Sequence, residues 1–355
     1  MNFLNKSNVS ILDLPDEMLR AIINKLNMID VQYSLVDVNL RFDRLVFDSL
    51  YIHNLDFEMK RDYIHNQPKG TYFLDRICNK VLPRINTKIL KLTLEPLSME
   101  RVIGAVDYPN LYSLSLVNYH QPETLLEHLT STVINLISFY ESLTFFISIS
   151  DDVMSRLLTN QITHIKVEIS ERKQTICIIK SSIFFSIKKL VKLKYFSLKT
   201  NWYTYGYDTQ VVPLLNRMLN LEELTLYISV VRTESTYIDG NQLYDEVLNN
   251  MSQLKKFIFN IHTHIINYRN EINPVSTDVI QNSFIRREIQ SFGIFADNKL
   301  INNRGNCNVY SLPYQFDDFL FMTSCFQGGK FDKVRLLIMR DRRPFEHKLF
   351  QIVSR

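Results

Sequence analysis

The first fifty residues carry apolar positions at helical spacing. In LDLPDEMLRAIINKL, residues 12–26, the apolar side chains recur at intervals of three and four. These positions are Met18, Leu19, Ile22, Ile23 and Leu26. Pro15 suits the first position of a helix, and the two acids after it favour the positive end of the helix dipole. The pattern predicts an amphipathic helix that begins at Pro15.

Two more short helices follow in the same pattern. Asp30 is predicted to cap the second helix. The apolar positions are Val31, Leu35 and Val38 in the second helix and Phe42, Leu45 and Val46 in the third. Because about 45 residues is near the lower size limit for independent folding, the stripes of this unit need the rest of the chain or a partner.

After residue 56 the pattern changes to short strands alternating with helices. Seven copies of L-x-x-L-x-L, with an apolar residue at each L, begin at Ile89, Leu111, Ile162, Leu193, Leu221, Leu254 and Val334. Helix-like stretches such as TQVVPLLNRML and GNQLYDEVLNNM separate several copies. Units that cannot cover their own apolar side must stack to build a common core. The pattern predicts an α/β fold with parallel strands.

Two stretches depart from this repeat. No triplet fits residues 134–150, and residues 266–330 form a long insertion rich in Asn and aromatic residues. Gly305 and Asn306 are predicted to form a turn between two strands of this insertion. Insertions in repeat proteins map to one face and often shape the binding surface. The chain ends within a predicted helix after Pro344, which fits either a complete chain or a fragment of a longer product.

Composition narrows the function classes. The chain has 46% hydrophobic and 22% charged residues, typical of folded proteins, and a net charge of only +4. Nucleic-acid binding is therefore not favoured. The four cysteines lie far apart and suit a reducing compartment. Because neither a secretory signal nor a membrane span is evident, we predict a soluble protein of the cytoplasm or nucleus.

Signals for chemistry are weak. His262 and His264 lie two apart, on one face of a strand, but no third metal ligand has a recognisable spacing. The glycine patterns of nucleotide-binding loops and the motifs of serine hydrolases and zinc proteases do not occur. The cluster RDRRPFEHK could bind phosphate or an acidic peptide, although a solvated charged turn is favoured. We predict no catalysis, no metal and no cofactor.

Residues 9–56 resemble the F-box family, through L-P-x-E followed by I, L and D-V at the family's spacing. Phe42 stands where that family usually has Trp. The resemblance implies binding to the small Skp-type linker of a cullin RING ubiquitin ligase. The implied contact residues are Leu14, Pro15, Glu17, Met18, Ile22, Leu26, Asp30, Val31, Val38 and Phe42. The alternative is a helical cap that covers the end of the repeat array.

The repeat region is similar to leucine-rich repeats, although the Asn that usually follows the triplet is mostly absent. The similarity implies a curved solenoid at residues 89–355, with parallel strands inside and helices outside, after a helical connector and cap at 57–88. A compact α/β domain is the alternative. Residues between the apolar positions face outward and are predicted to bind a target protein. They are Lys91, Thr93, Ser113, Ser115, His164, Lys166, Tyr195, Ser197, Glu223, Thr225, Lys256 and Ile258.

Together the two resemblances imply an adaptor without catalytic activity of its own. Its N-terminal helices would bind the Skp-type linker, and its repeats would bind an unknown protein destined for ubiquitin transfer. Two other hypotheses stay open. One is a repeat scaffold that binds protein without any ligase, and the other, less favoured, is nucleic-acid binding through the basic C-terminal stretch.

Overall fold

The computed structural model of the chain describes residues 10–47, 50–58, 67–117, 161–169, 190–233, 235–267, 275–289, 291–297, 300–326, 328, 331–341 and 344–353. Residues 134–150, for which the sequence predicted no triplet, lie outside these ranges. The chain divides into two compact units, Met1–Ser115 and Leu116–Arg355. The divisions predicted at residues 56 and 88 both fall within the first unit.

The first unit is mixed α/β, with its helices before and between short strands. The helices are α1 (Asp16–Ile23), α2 (Met28–Leu35), α3 (Leu40–Phe47), α4 (Gln67–Arg76), α5 (Leu82–Ile85) and α6 (Pro96–Ala105). The strands are β1 (Asn54–Asp56), β2 (Lys91–Leu94) and β3 (Ser113–Leu116), which ends at the unit boundary. Turns of 3-10 helix lie at Ile11–Asp13, Leu50–His53 and Asn86–Lys88, and a π-helical turn at Ile77–Val81. β1 pairs in parallel with β2, so the predicted three-helix segment ends in a strand.

Local capping explains where the first helices begin. Helix α1 begins at Asp16, one residue later than predicted, with Pro15 as its N-cap, and the two acids after Pro15 occupy the first turn as predicted. The prediction that Asp30 caps the second helix is wrong. Asn27 caps α2, because its side-chain oxygen accepts hydrogen bonds from the backbone N–H groups of Ile29 (2.8 Å) and Asp30 (3.4 Å). The earlier start brings Met28 and Ile29 into the buried core.

The second unit is built on a mostly parallel sheet. Its strands are β4 (His164–Ile169), β5 (Tyr195–Thr204), β6 (Glu223–Thr233), β7 (Lys256–Ile266), β8 (Phe292–Ala296), β9 (Arg304–Ser311), β10 (Asp318–Met322) and β11 (Leu336–Met339). Its α-helices are α7 (Val212–Leu215), α8 (Gly240–Glu246), α9 (Thr277–Arg286) and α10 (His347–Val353). The described part of this unit also contains a π-helical turn at Tyr207–Val211 and a 3-10 turn at Leu248–Asn250. In the larger sheet the order is β4-β5-β6-β7-β9-β8, and β10 pairs with β11.

The triplets of neighbouring strands are in register. The second apolar residue of each copy forms one row across four parallel strands, Ile165, Phe196, Leu224 and Phe257. The third forms the next row, Val167, Leu198, Leu226 and Phe259. Seven of these eight side chains are buried and Val167 is half-buried. Since side chains alternate along a strand, the residues between them project from the opposite face of the sheet.

The region predicted as an insertion, residues 266–330, adds a helix and a hairpin to the sheet. β9 pairs antiparallel with β7 on one side and with β8 on the other. The predicted turn at Gly305 and Asn306 is misplaced, because both lie inside β9. Asn302 and Asn303 form the turn, with φ of 50° and 60°. A side chain at 305 would collide with the hydroxyl of Tyr237, so the glycine serves close packing.

Within the described residues, no helix is both long enough and apolar enough to cross a membrane.

Candidate protein-docking surfaces

Exposed apolar side chains are concentrated at the start of the chain. Eight of the sixteen large apolar side chains that are exposed in the described residues lie between Ile11 and Leu40. They are Ile11, Leu12, Met18, Ile22, Leu26, Tyr33, Val38 and Leu40. Single exposed apolar residues are ordinary on a protein surface, whereas a contiguous group marks an interaction site. This segment is therefore the first candidate docking surface.

Helix α1 is apolar on two sides, and the chain covers one of them. Leu19 and Ile23 point into the core and are 1% and 4% exposed. Met18 and Ile22 lie about 100° further round the helix and are 52% and 42% exposed, and Leu26, just beyond the helix, is 56% exposed. We call Met18, Ile22 and Leu26 the exposed stripe. Its position leaves it accessible to a second protein.

The ten residues implied as linker contacts do not all lie on this surface. Six are exposed: Pro15, Glu17, Met18, Ile22, Leu26 and Val38. Leu14 and Asp30 are half-buried. Val31 and Phe42 are buried, at 2% and 6% exposure, because they pack in the core of the three helices, and a partner cannot reach them in this conformation. The sequence pattern did not predict that Ile11, Leu12 and Leu40 are exposed on this segment. They lie before or between the motif positions, and in the sequence only their apolar character could have indicated them.

A single arginine fastens the segment that precedes α1. The Arg41 guanidinium, on α3, donates to the carbonyl oxygens of Leu12 and Leu14 at 2.5 Å each. Its Nε donates to Oδ1 of Asp16 at 2.7 Å. Ser10 and Asp13 also cap the 3-10 turn. The Ser10 hydroxyl accepts a hydrogen bond from the backbone N–H of Leu12, and the Asp13 carboxylate accepts one from the backbone N–H of Ser10. Residues 10–16 are thus held by side chains at both ends.

Two further arginines hold the connection between α2 and α3. Arg76 donates to the carbonyl oxygens of Tyr33 (3.0 Å) and Val36 (2.6 Å). Arg84 donates to the carboxylates of Asp37 and Asp43, at 3.0 Å each. Planar guanidinium groups with several fixed donors suit such multiple contacts. The connection between α2 and α3 is therefore held by side chains of the helical connector that follows them.

The second candidate surface is the outward face of β4 to β7. One row across these strands is His164, Tyr195, Glu223 and Lys256, and the next is Lys166, Ser197, Thr225 and Ile258. The rings of His164 and Tyr195 stack with centroids 4.0 Å apart, and Lys256 pairs with Glu223 at 3.3 Å. All eight side chains are at least partly accessible. Mixed aromatic and charged rows of this kind suit protein recognition.

The outward residues predicted in the first unit lie on its own strands. Lys91 is exposed on β2, and Thr93, Ser113 and Ser115 are half-buried. The ammonium of Lys91 lies 5.8 Å from the ring centroid of Tyr112, within range of a cation–π contact. These residues face outward as the alternation of a strand requires.

A later part of the chain covers the continuation of the outward face in the second unit. Residues 314–322, which we call the cover, pack over the row that contains Lys199, Tyr227 and Asn260. Tyr227 and Asn260 are buried beneath it, and Asn260 Nδ2 donates to the hydroxyl of Tyr314 at 2.7 Å. Lys199 pairs with both Asp317 and Asp318 at 2.9 Å. The sequence did not predict this cover, which buries Tyr227 and Asn260 and belongs to the cluster against which Ile258 of the second row packs.

The two histidines singled out by their spacing lie near this cover. The ring of His262 stacks on Phe321 with centroids 5.0 Å apart and lies 5.8 Å from Tyr203. Burial lowers the pKa of His262 to about 3, so its imidazole is neutral at pH 7. Nδ1 of His264 is 2.8 Å from the side-chain oxygen of Asn306. The described residues contain no group of three or more His, Cys, Asp or Glu positioned to hold a metal ion.

The basic cluster near the end of the chain is only partly described. Arg340 and His347 are exposed, whereas Arg342 and Arg343 lie outside the described residues.

Comparison with models of known protein families gave no match to this chain, and comparison with curated proteins gave none either.

Proposed function

We propose that this protein is a substrate-recruiting adaptor of a Skp/cullin/F-box ubiquitin ligase. The observation that supports this most directly is the exposed stripe, because α1 already buries Leu19 and Ile23 and still presents Met18 and Ile22 to solvent. A helix that only capped a repeat array would have no need of a second apolar side facing water. The sequence resemblance of residues 9–56 to the F-box implies a Skp-type linker as the occupant of this stripe, and this supports the proposal.

The energetics favour a protein partner for this surface. Complete burial of a Leu, Ile or Met side chain contributes roughly 1.5–3 kcal/mol. The three half-exposed side chains of the stripe could therefore contribute several kilocalories per mole to an interface. Because the arginine contacts hold the backbone in place, little conformational entropy is lost when the partner binds. The stripe thus has the apolar area and the rigidity of a docking site.

The second half of the proposal is a leucine-rich-repeat-like solenoid that binds the target protein. The in-register triplets on β4 to β7 support it, because their regular rows are what stacked repeats produce. The two accessible outward rows would bind the target. Such an adaptor accelerates ubiquitin transfer by raising the effective concentration of a target lysine near the ligase, which requires no catalytic group in this chain.

Capture of a purified Skp-type linker by the full chain tests the first half. We expect binding by the wild type and loss of binding by the double variant Ile22→Asp/Leu26→Asp, because charges cannot enter an apolar interface without a partner. The matched control is Val279→Asp/Ile285→Asp, which places two charges at equally exposed apolar positions on α9. A folded wild-type chain that fails to bind the linker would leave the scaffold without a ligase as the better hypothesis.

The target half needs a separate measurement in cells. Proteins that associate with the wild type and with Ile22→Asp/Leu26→Asp should be the same, since the substitutions lie outside the outward rows. Only the wild type should shorten the lifetimes of these proteins. Charge reversal at Lys166 and Lys256 should instead remove the associated proteins while the linker stays bound. Equal lifetimes with both chains would contradict the adaptor function.

A further inference from the structure

We propose that the free edge of β11 binds an acidic, extended segment of another protein as an additional β-strand. β11 pairs with β10 on one side, and no other described strand pairs with it. A strand edge without a neighbour offers backbone donors and acceptors to a second chain. This edge uses no residue of the exposed stripe or of the two outward rows, so the inference does not depend on the adaptor function.

The first step concerns the backbone of β11. The N–H groups of Leu336 and Arg340 donate to carbonyl oxygens next to the start and at the end of β10, at 3.1 Å and 2.9 Å. Successive backbone groups of a strand point to opposite edges, so those of Leu337 and Met339 point away from β10. These two residues can therefore form the ladder with an added strand.

The second step concerns the side chains. Leu337 and Met339 pack against the aromatic cluster that includes the cover, which attaches one side of β11 to the protein. Leu336 and Ile338 project from the other side and are 47% and 41% exposed. An added strand with apolar side chains at alternate positions would cover them as cross-strand pairs.

The third step concerns charge. Arg335 and Arg340 stand directly before and after β11, and both are exposed. In the part of the chain that the structure describes, neither guanidinium forms an ion pair. Arg335 acts on Asp317 only at longer range, since that carboxylate pairs with Lys199 at 2.9 Å. Positive charges at both ends of the strand favour a segment with a carboxylate opposite each arginine.

The same charges disfavour a second copy of this chain as the occupant. Two β11 edges related by a two-fold axis would pair antiparallel. The register centred on the strand would place Arg335 of one protomer opposite Arg340 of its partner. Like charges directly opposite each other destabilise a strand pair. An acidic segment is therefore the occupant that fits this edge.

The first test uses a peptide built to this pattern, Asp-Val-Thr-Val-Thr-Glu, blocked at both ends. In parallel register its acids lie opposite Arg335 and Arg340, and its valines lie opposite Leu336 and Ile338. The purified full chain should bind it at low ionic strength, and Arg335→Glu/Arg340→Glu should weaken the affinity at least about tenfold, because attraction becomes repulsion. Arg286→Glu/Arg304→Glu changes the net charge equally at two other exposed arginines and is the matched control.

The second test separates strand addition from attraction between charges alone. A peptide with proline at both central positions keeps its charges but loses at least one N–H that faces β11, because donors alternate along a strand. It should bind at least about tenfold more weakly. Binding of the original peptide should also slow hydrogen exchange of the Leu337 and Met339 amides.

A third variant tests the apolar contacts. Leu336→Ser/Ile338→Ser should weaken peptide binding several-fold and leave the urea midpoint of unfolding unchanged, because both side chains are exposed. Val279→Ser/Ile285→Ser, at exposed apolar positions on α9, should leave the affinity unchanged.

Three results would overturn the proposal. Without binding of the acidic peptide at about 1 mM, the two arginines would be charges that only keep an open edge from aggregating. Equal affinity for the proline peptide would show that no strand is added. A wild-type dimer that Arg335→Glu/Arg340→Glu dissociates would assign the edge to a second copy of the chain.

Discussion

Helix α1 and strand β6 both carry apolar side chains on two sides, but both sides are buried in β6 and only one side is buried in α1. In β6 eight of the eleven residues are buried, because the triplet side packs in the core and the cover helps to bury the other side. In α1 only Leu19 and Ile23 are buried. The same kind of sequence is therefore a completed core in one place and an open surface in the other.

The comparison shows that apolar spacing predicts which side chains avoid water without saying what covers them. In β6 the side that faces away from the triplet core is covered with the help of residues 314–322 of the same chain. No apolar side chain of β6 therefore stays exposed for a partner. For α1 no described residue of the first unit seals the second side. A substitution should consequently affect stability in β6 and β7 and affect binding in α1.

The largest expected effect tests the completed core. Phe259 is fully buried on β7 and stacks with Phe257 at 4.7 Å between ring centroids. Phe259→Ala should lower the free energy of unfolding by about 3–5 kcal/mol, because it removes a buried ring and leaves a cavity. Urea denaturation measures this loss of free energy, and hydrogen exchange of the β7 amides shows whether it arises in the core. A loss below about 1 kcal/mol would mean that the triplet rows do not form the core.

A smaller effect is expected where the cover is attached. Lys199 is 14% exposed, and the two aspartates it contacts hold its pKa above the ordinary value despite its burial. Lys199→Met should lower the free energy of unfolding by about 2 kcal/mol, since it leaves the carboxylate of Asp318, which is only 13% exposed, without its ion pair. Lys194→Met is the control, because the exposed pair of Lys194 with Glu222 contributes little.

The pH dependence of this pair follows from its carboxyl partner. Lys199 lowers the pKa of Asp317 below its ordinary value. The stability that Asp317 contributes is therefore present above about pH 4 and is lost as the pH falls through its folded pKa. The difference between wild type and Lys199→Met should shrink in acid. A difference that stays constant down to pH 2 would show that the ion pair does not hold the cover.

Local sequence was sufficient for the features that depend on neighbours along the chain. The triplets place Leu224 and Phe257 side by side because equivalent residues of parallel strands meet in register. Assignments went wrong where two local signals competed. Asn27 and Asp30 are both of the residue types that cap helices, and in the structure the Asn27 side chain accepts the hydrogen bonds while Met28 is buried. Gly305 resembled a turn residue although a tyrosine ring requires it.

The cover could not be predicted from spacing at all. Lys199 and Asp317 are 118 residues apart, and no periodicity relates them. Exposure is equally non-local. Val31 and Ile22 are both apolar residues at motif positions, yet one packs among the three helices and the other does not. Which positions of a motif stay accessible depends on the tertiary packing around them.

The next effect falls on binding and leaves stability alone. Ile22→Ala should weaken binding to the Skp-type linker by about fivefold. A buried methylene group contributes roughly 0.8 kcal/mol and the substitution removes three carbons, but the side chain is only 42% exposed before binding, so about 1 kcal/mol is lost. Its free energy of unfolding should change by no more than about 0.5 kcal/mol, as for most surface substitutions. Calorimetric titration and urea denaturation measure the two quantities. A large loss of stability would show that Ile22 belongs to the core and that the comparison with β6 fails.

The last effect is a change in how the free energy of unfolding varies with pH, and it is small at any single pH near neutrality. Burial lowers the pKa of His262 to about 3, and the neighbouring His264 and Arg340 act in the same direction, while the Asn306 side chain opposes them. An unfolded histidine titrates near 6.5, so between about pH 6.5 and 3 the unfolded chain binds more protons and stability rises with pH. His262→Phe should reduce this slope by about 1 kcal/mol per pH unit near pH 5, as measured by urea denaturation at several pH values. An unchanged slope in His262→Phe would mean that water reaches His262 beneath Phe321, so that the cover does not seal the outward face at this row.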